Sequence, residues 1–337
     1  MRQEDEEVLS RRGMTVLVTG ATGFIGSHVV RELLERGYSV RAGARRFSRA
    51  DFLHNLPNSK NLEIVQMNLF DVDSLRKAVE GCEEVIHCAA ALYVGAKDVR
   101  RDVIDPSVIG VKNLCSVMDG VKRIVHTSSV AAIRSTKYQH GKIFTVDDWC
   151  DDASVGSNPY GFAKAEAERV IRAWAEDREV RLVTIHPSVV FGPIFHKRHA
   201  EGSMSYIKHF VKGPPFVLDF NVNFVDVRDV AEAHANALEM GKDRARHLIH
   251  ARGMWMKEIG VVLNREFGGG FSTRRLPAPL AYFIAIFHPK LTWKQLRGGL
   301  GTMVEYDVRD SFEELGVEVT DPVLTLRHSV ESLRAQG

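Results

Sequence analysis

A doubly wound parallel sheet of the α/β class is what three features of this chain predict. One is a glycine-spaced turn, Gly20-Ala21-Thr22-Gly23-Phe24-Ile25-Gly26, which follows the apolar run Thr15-Val16-Leu17-Val18 and opens a helical pattern. Another is the alternation of short apolar runs with amphipathic stretches through the first half of the chain. The third is length. At 337 residues the chain can bury a large core in one big domain or two smaller ones.

The elements follow in order. Thr15–Thr19 reads as a strand. Gly23–Arg36 reads as a helix, because Ile25, Val29 and Leu33 recur at i, i+4 and i+8 with Val30 and Leu34 beside them. Gly37 stops it. Tyr38–Gly43 is a second strand, Leu62–Met67 a third, and Asp73–Glu80 a short helix ended by Gly81. Glu84–His87 is a fourth strand, Val103–Met118 a helix, Arg123–His126 a fifth strand, Tyr160–Glu176 a helix and Arg181–His186 a sixth strand. Such alternation means a Rossmann-type parallel sheet. Beyond Phe191 the pattern loosens, with a strand at Phe224–Val227 and a helix at Val230–Leu238. The expected division is a mobile tail at 1–12, a nucleotide domain at 13–190 whose sheet is completed by 222–250, and a smaller mixed substrate lobe from 191–221 and 251–337.

Composition narrows the function classes. Hydrophobic residues make up 45%, charged residues 26%, and the net charge is +2, which carries no global signal for nucleic acid. Cys82, Cys88, Cys115 and Cys150 are scattered without a Cys-x-x-Cys pair, which fits a reducing, cytoplasmic setting better than a disulfide framework. No histidine cluster has metal-ligand spacing, so no metal is expected. The longest apolar run, Leu280–Phe287, is far shorter than the roughly 20 residues a transmembrane helix needs. It reads as a core or surface helix, with a greasy lid or membrane-touching patch as the alternative.

Three constellations carry chemistry. In the glycine turn, Gly20 turns the chain off its strand, Gly23 admits a pyrophosphate close to the backbone, and Gly26 lets the helix pack on the sheet. The helix N-terminus then offers free N–H groups to phosphate. An acidic residue about 20 positions later would hold the ribose of NAD. Here the region reads Ser39-Val40-Arg41-Ala42-Gly43-Ala44-Arg45-Arg46, with three arginines and no acid. Arginine pairs with a 2′-phosphate through a charge-assisted fork, so NADP(H) is favoured over NAD(H). Tyr160 and Lys164 stand at i and i+4 on one helix face, where an ammonium lowers a phenol's pKa and suits it to proton transfer at a carbonyl oxygen. Thr127-Ser128-Ser129 follows a strand's carboxyl end, where ligands bind in such sheets. A hydroxyl there can donate to a substrate oxygen.

Together these motifs resemble the short-chain dehydrogenase/reductase superfamily, in its extended branch. The resemblance covers nearly the whole chain: Thr19–Gly26, His87-Cys88-Ala89-Ala90, Thr127–Ser129, Tyr160–Lys164, His186–Pro193 and Phe224–His234. Asp147-Asp148-Trp149 and the arginine-rich turn resemble the dihydroflavonol reductase, cinnamoyl-CoA reductase and aldehyde reductase group in particular.

That resemblance implies roles. Tyr160 is the general acid in carbonyl reduction, Lys164 lowers its pKa and bonds the nicotinamide ribose, and Ser129 donates to the substrate oxygen, with Ser128 as runner-up. Arg45 matches the 2′-phosphate arginine, with Arg41 in support. Thr22, Phe24 and Ile25 join the glycines at the phosphates. Ala89 and Ala90 line the cofactor wall, and Pro187 and Val190 pass beside the nicotinamide. Two positions depart from the pattern. Asn68-Leu69 stands where many relatives have Asp-Leu at the adenine. Pro106 stands where many have an asparagine that supports proton relay. The loop His196–His199 reads as solvated, with contact to an anionic substrate such as a CoA ester as the alternative. Asp226 and Asp229 read as helix-start caps, and His87 as the end of a buried strand.

The expected activity is NADP(H)-dependent reduction of an aldehyde or ketone, or oxidation of the matching alcohol, on an apolar or aromatic small molecule. An epimerase, dehydratase or hydroxysteroid dehydrogenase of the same branch is one alternative, and a silent NADP sensor another. Helices Val103–Met118 and Tyr160–Glu176 are candidates for a homodimer interface.

Overall fold

A computed structural model describes residues 15–90, 98–137, 139–287 and 293–336; the charged leading stretch 1–12 lies outside them. In order come β1 (Thr15–Thr19), α1 (Phe24–Glu35), β2 (Ser39–Ala44), β3 (Leu62–Gln66), α2 (Val72–Val79), β4 (Glu84–His87), α3 (Asp105–Cys115), β5 (Arg123–Thr127), β6 (Lys142–Phe144), α4 (Pro159–Asp177), β7 (Arg181–Pro187) and β8 (Val189–Phe191). There follow α5 (Ser205–Val211), β9 (Asn221–Asp226), α6 (Val227–Asn236), β10 (Arg246–Ile249), β11 (Arg252–Trp255), α7 (Met256–Phe267), α8 (Ala278–Phe287), α9 (Trp293–Gly299), β12 (Val304–Tyr306), α10 (Arg309–Leu315) and α11 (Pro322–Gln336).

Seven strands form one parallel sheet in the order β10-β7-β5-β4-β1-β2-β3. Val16, Leu17, Val18, Val85, Ile86, Ile124, Val125, Leu182 and Val183 are all fully buried, on alternating faces. That explains why these strands read as continuous apolar runs: helices cover both faces of a parallel sheet. One face packs on α1 and α6 and the other on α2, α3 and α4. The strand order reverses between β1 and β4, and in such sheets a crevice opens there at the carboxyl ends.

A second sheet, β11-β9-β8, and a two-stranded pair, β12-β6, lie outside the main sheet. Thus β10 supplies the seventh strand of the large sheet, while β9 belongs to the smaller one. Two boundaries differ from expectation. The β9 strand begins at Asn221, and α6 begins at Val227 because Asp226 caps it, accepting from the Arg228 backbone N–H at 2.8 Å. The expected helix Val103–Met118 is instead a π-helical turn, Arg100–Ile104, running into α3. Pro106 is the physical reason: it lacks the N–H that would bond four residues back, and its ring crowds the carbonyl there.

Candidate active site

Thr19 locks the switch point. Its Oγ1 lies 2.7 Å from His87 Nδ1 and accepts from the Ala89 N–H at 3.2 Å, so the ends of β1 and β4 are tied together. Gly20 leaves β1 with φ +67°, and a Cβ on it would lie 2.7 Å from the Ala89 Cα. A Cβ on Gly26 would lie 2.3 Å from the Gly20 carbonyl oxygen. Gly23 is the N-cap of α1; no side chain caps that helix, and its first turn holds no acid. The cradle therefore fits a pyrophosphate: backbone close enough that side chains would fill it, and a helix N-terminus left to an anion. Thr22, Phe24 and Ile25 are half-buried around it.

Arg45 is exposed directly past the end of β2. Arg41 is not near it in role. Its Nε donates to Glu63 Oε2 at 2.7 Å, and its Nη1 donates to the carbonyls of Ala78 and Glu80 at 3.1 and 2.6 Å. Glu80 precedes β4, so the Arg41 guanidinium sits toward the amino-terminal end of the sheet, away from the glycine turn. The expectation that Arg41 supports Arg45 is thereby corrected: Arg41 holds β2, β3 and the end of α2 together.

The loop His196–His199 also departs from expectation. His199 is 4% exposed, its Nε2 lies 3.2 Å from the Thr22 carbonyl oxygen, and its ring packs against Phe24 and Phe52. Burial pulls it down to about 4, so it is neutral. Beside it Arg198 donates to the Arg49 carbonyl oxygen at 3.4 Å. Arg198 belongs to the basic loop already named, and Arg49 beside it is a cation that the sequence reading missed. The paired histidines at 196 and 199 among aromatics were the available signal.

Asn68 Oδ1 accepts from the Phe70 N–H at 3.2 Å, which shapes the turn after β3. Leu69 is half-buried against Gly110, where a Cβ would lie 2.8 Å from the Leu69 side chain. Ala89 and Ala90 follow β4 at the switch point. Pro187 closes β7 and is buried, and Val190 is a core residue of β8, 5% exposed.

At the end of β5, Ser129 caps a short turn, accepting from the Ala131 N–H at 3.1 Å. Asn158 caps α4 by accepting from the Gly161 N–H at 3.0 Å, and Pro159 opens the helix. A Cβ on Gly161 would lie 2.8 Å from the Ala131 carbonyl oxygen, so glycine lets α4 seat against the Ser129 turn. This brings the Ser129 hydroxyl near the Tyr160 phenol. Burial pushes the Tyr160 phenol above its ordinary value, and the nearby Ser129 hydroxyl opposes that. Lys164, one turn along the same helix, donates its Nζ to the Thr127 carbonyl oxygen at 3.0 Å. Lys164 is 5% exposed, and burial pulls its ammonium down to about 8.

Ser128 has another partner. Its Oγ donates to Glu168 Oε2 at 2.7 Å, and it is 3% exposed. Glu168, fully buried one turn beyond Lys164, also lies 2.8 Å from His186 Nε2 and accepts from Arg246 Nε at 2.7 Å. Arg246 stacks 3.9 Å from the Trp149 ring and donates to the Val146 and Asp148 carbonyls. Burial pushes Glu168 up, but His186, Arg246 and Ser128 together hold it well below the carboxylate range. Sequence reasoning missed this network.

Asp229 is a further correction. It caps nothing; it accepts from the Thr320 N–H at 3.0 Å and from Thr320 Oγ1 at 2.5 Å, tying α6 to the segment before α11.

With this geometry in view, the family model described as the NAD dependent epimerase/dehydratase family matches residues 16–249. The chain belongs to that family, within the extended short-chain dehydrogenase/reductases. Cinnamoyl-CoA reductase CAD2 of Medicago truncatula is 29% identical over 96% of this chain and 97% of that protein. Yeast methylglyoxal/isovaleraldehyde reductase Gre2, solved with NADPH, superposes with a TM-score of 0.81 at 22% identity, covering 96% of this chain and 98% of that one; it shows the shared fold. Gre2 of Candida albicans, also an NADPH complex, superposes with a TM-score of 0.78 at 26% identity, covering 96% and 99%.

Proposed function

We propose that this member of the NAD dependent epimerase/dehydratase family is an NADP(H)-dependent reductase of aldehydes or ketones with an apolar or aromatic body. The chain is an NAD(P)-dependent oxidoreductase of the extended branch; the finer reading rests on one observation. Ser129, Tyr160 and Lys164 converge at the carboxyl end of β5, beside the switch point where the glycine turn lies. In this reading Gly20, Thr22, Gly23, Phe24, Ile25 and Gly26 hold the pyrophosphate, and Arg45 takes the 2′-phosphate. The names of the reductase relatives, and the NADPH in the two Gre2 structures, favour it.

When bound, the reduced nicotinamide supplies a hydride to the carbonyl carbon. Tyr160 hydrogen-bonds the carbonyl oxygen and gives it a proton as charge builds there. Ser129 donates a second hydrogen bond to the same oxygen. Lys164 supplies a fixed positive charge beneath them. Its burial keeps water away, which strengthens that charge. Residues 191–221 and 251–337 form the substrate lobe, whose apolar cluster includes Phe191, Phe210 and Phe224.

NADPH oxidation against a panel of aldehydes, aromatic ketones and CoA thioesters tests the proposal. Tyr160→Phe should lower kcat/KM on the best substrate by about 10²-fold or more. A Tyr160→Phe protein working at the wild-type rate overturns it.

A further inference from the structure

Phe267 to Val304 contains no aspartate or glutamate but five cations, Arg274, Arg275, Lys290, Lys294 and Arg297, in a chain of net charge +2. Within that stretch lies α8, Ala278–Phe287, whose sequence APLAYFIAIF is apolar on every face. Ala281 and Ala285 are buried, in a cluster with Leu218, Phe220 and Leu296. The opposite arc faces out: Leu280 is 43% exposed, Ile284 37% and Ile286 58%. Leu280 and Ile284 stand four residues apart and so share a face. Trp293, at the start of α9, is 56% exposed, with its ring 4.9 Å from Tyr282. Arg274, Arg275 and Arg297 are exposed on the flanks; Arg275 pairs with Asp219 at 3.1 Å yet keeps 57% of its side chain in solvent.

Scattered apolar residues on a surface need no explanation. A contiguous set on one helix that is apolar all round does. The charge around it selects the occupant. In a two-fold contact between copies the same patch meets itself, so the exposed Arg274, Arg275 and Arg297 would face their own copies with only Asp219, already paired with Arg275, to offset them. Anionic headgroups complement that charge, and tryptophan is at home at a membrane–water interface. Ten residues of helix span about 15 Å, half of a hydrocarbon core of about 30 Å. Among the described residues no helix is long and apolar enough to cross a membrane. We infer that α8 and Trp293 form a docking face for the surface of an anionic lipid bilayer, with the helix lying in the headgroup plane and the arginines on the lipid phosphates. This inference does not depend on the catalytic reading.

The test uses the full chain and two kinds of vesicle, phosphatidylcholine alone and phosphatidylcholine mixed with phosphatidylserine. The protein should co-sediment with the mixed vesicles, weakly with the neutral ones, and less as salt rises. Leu280→Glu with Ile286→Glu should lower the bound fraction about tenfold or more, and Arg274→Ala with Arg297→Ala about fivefold for each cation removed. Both side chains of the first pair face solvent, so its melting temperature should match the wild type. Independently of any charge change, brominated lipid should quench wild-type fluorescence, and Trp293→Phe should remove that quenching. Equal binding to both vesicle types, or binding unchanged by the glutamate pair, overturns the inference. So does an absence of vesicle binding together with a dimer in sedimentation equilibrium that the glutamate pair dissociates.

Discussion

Glu168→Gln removes one negative charge from the buried network while keeping the shape of the side chain. In the wild type Oε1 accepts from Arg246, and Oε2 meets Ser128 and His186, all within 2.8 Å. Glutamine brings one acceptor and one donor to those two places. Ser128 can rotate to accept, so the amide carbonyl should face Arg246. The Arg246 side chain, 7% exposed, then loses its counter-charge but keeps one hydrogen bond. Breaking a buried pair costs about 3–5 kcal/mol, and keeping the bond places this variant near 3 kcal/mol. At roughly 2.1 cal/mol/K of unfolding entropy per residue, a chain of this size carries roughly 0.7 kcal/mol/K, so Tm should fall by about 4 °C. Calorimetry at neutral pH on Glu168→Gln, Arg246→Met and the double variant measures it. The double variant should cost about 1 kcal/mol or more less than the sum of the singles. Because Glu168 is held low in the fold, its stabilisation is present above the unfolded carboxylate value and lost as pH falls below it. The gap between wild type and variant should therefore close in acid. An unchanged Tm, or strict additivity, refutes the reasoning.

Three further outcomes are expected. Lys164 is pulled down to about 8, so kcat/KM for reduction should fall as pH rises through that value; Glu168→Gln, by removing a nearby anion that favours the ammonium, should move this limb to lower pH. Arg45→Asp should raise KM for NADPH about ten- to hundredfold while leaving NADH little changed, as a charge-assisted bond to phosphate is lost; parallel changes for both cofactors would remove Arg45 from the 2′-phosphate. Burial raises Asp229 to about 6, above its unfolded value of about 3.9, so its contribution to stability is full below the lower value and lost as pH rises through the upper one. Asp229→Asn should flatten that part of the stability curve, by an amount on the order of 2–3 kcal/mol, in urea unfolding followed across this pH range.

The glycine turn and the strand–helix alternation were legible because each rests on local chemistry. Gly20, Gly23 and Gly26 answer to backbone crowding, and the apolar runs answer to a sheet covered on both faces. Lys164 was legible as a motif but not as a neighbour. Whether its ammonium faces the phenol or the Thr127 carbonyl depends on where β5 ends relative to α4. Arg41 failed for a related reason. On a strand, neighbouring residues point to opposite faces, and residue type does not say which end of the sheet a long side chain reaches. Ser128 and Ser129 are a clearer case: adjacent, identical in type, and separated only by a Glu168 that lies 40 residues away. Asp229 looked like a cap because it opens a helix, and its partner Thr320 is 91 residues distant. Local geometry is written in local sequence, whereas partners across the fold are not.

The histidines complete the electrostatics beneath Ser129 and Tyr160. His87 stacks on His126 at 5.4 Å, Thr127 Oγ1 lies 2.7 Å from His234 Nε2, and His186 lies against Glu168. Burial pulls His87 down to about 3, His234 to about 4, and His126 and His186 below their ordinary value, with Glu168 opposing the shift at His186. Burial likewise pushes the Cys88 thiol up to about 12, so it adds no anion beside Lys164. Lys164 and Arg246 stand against Glu168 around the carboxyl end of β5, with Arg172 half-buried close to the same carboxylate. Glu168 spends both oxygens on Ser128, His186 and Arg246, which leaves the Lys164 ammonium bound to a carbonyl and not to a carboxylate. A fixed cation that is not neutralised by its own ion pair is free to favour negative charge arising above it. In the proposed reaction that charge is the substrate oxygen as hydride reaches carbon. The buried anion thus serves the site by pairing with Arg246 while leaving Lys164 without a carboxylate in direct contact.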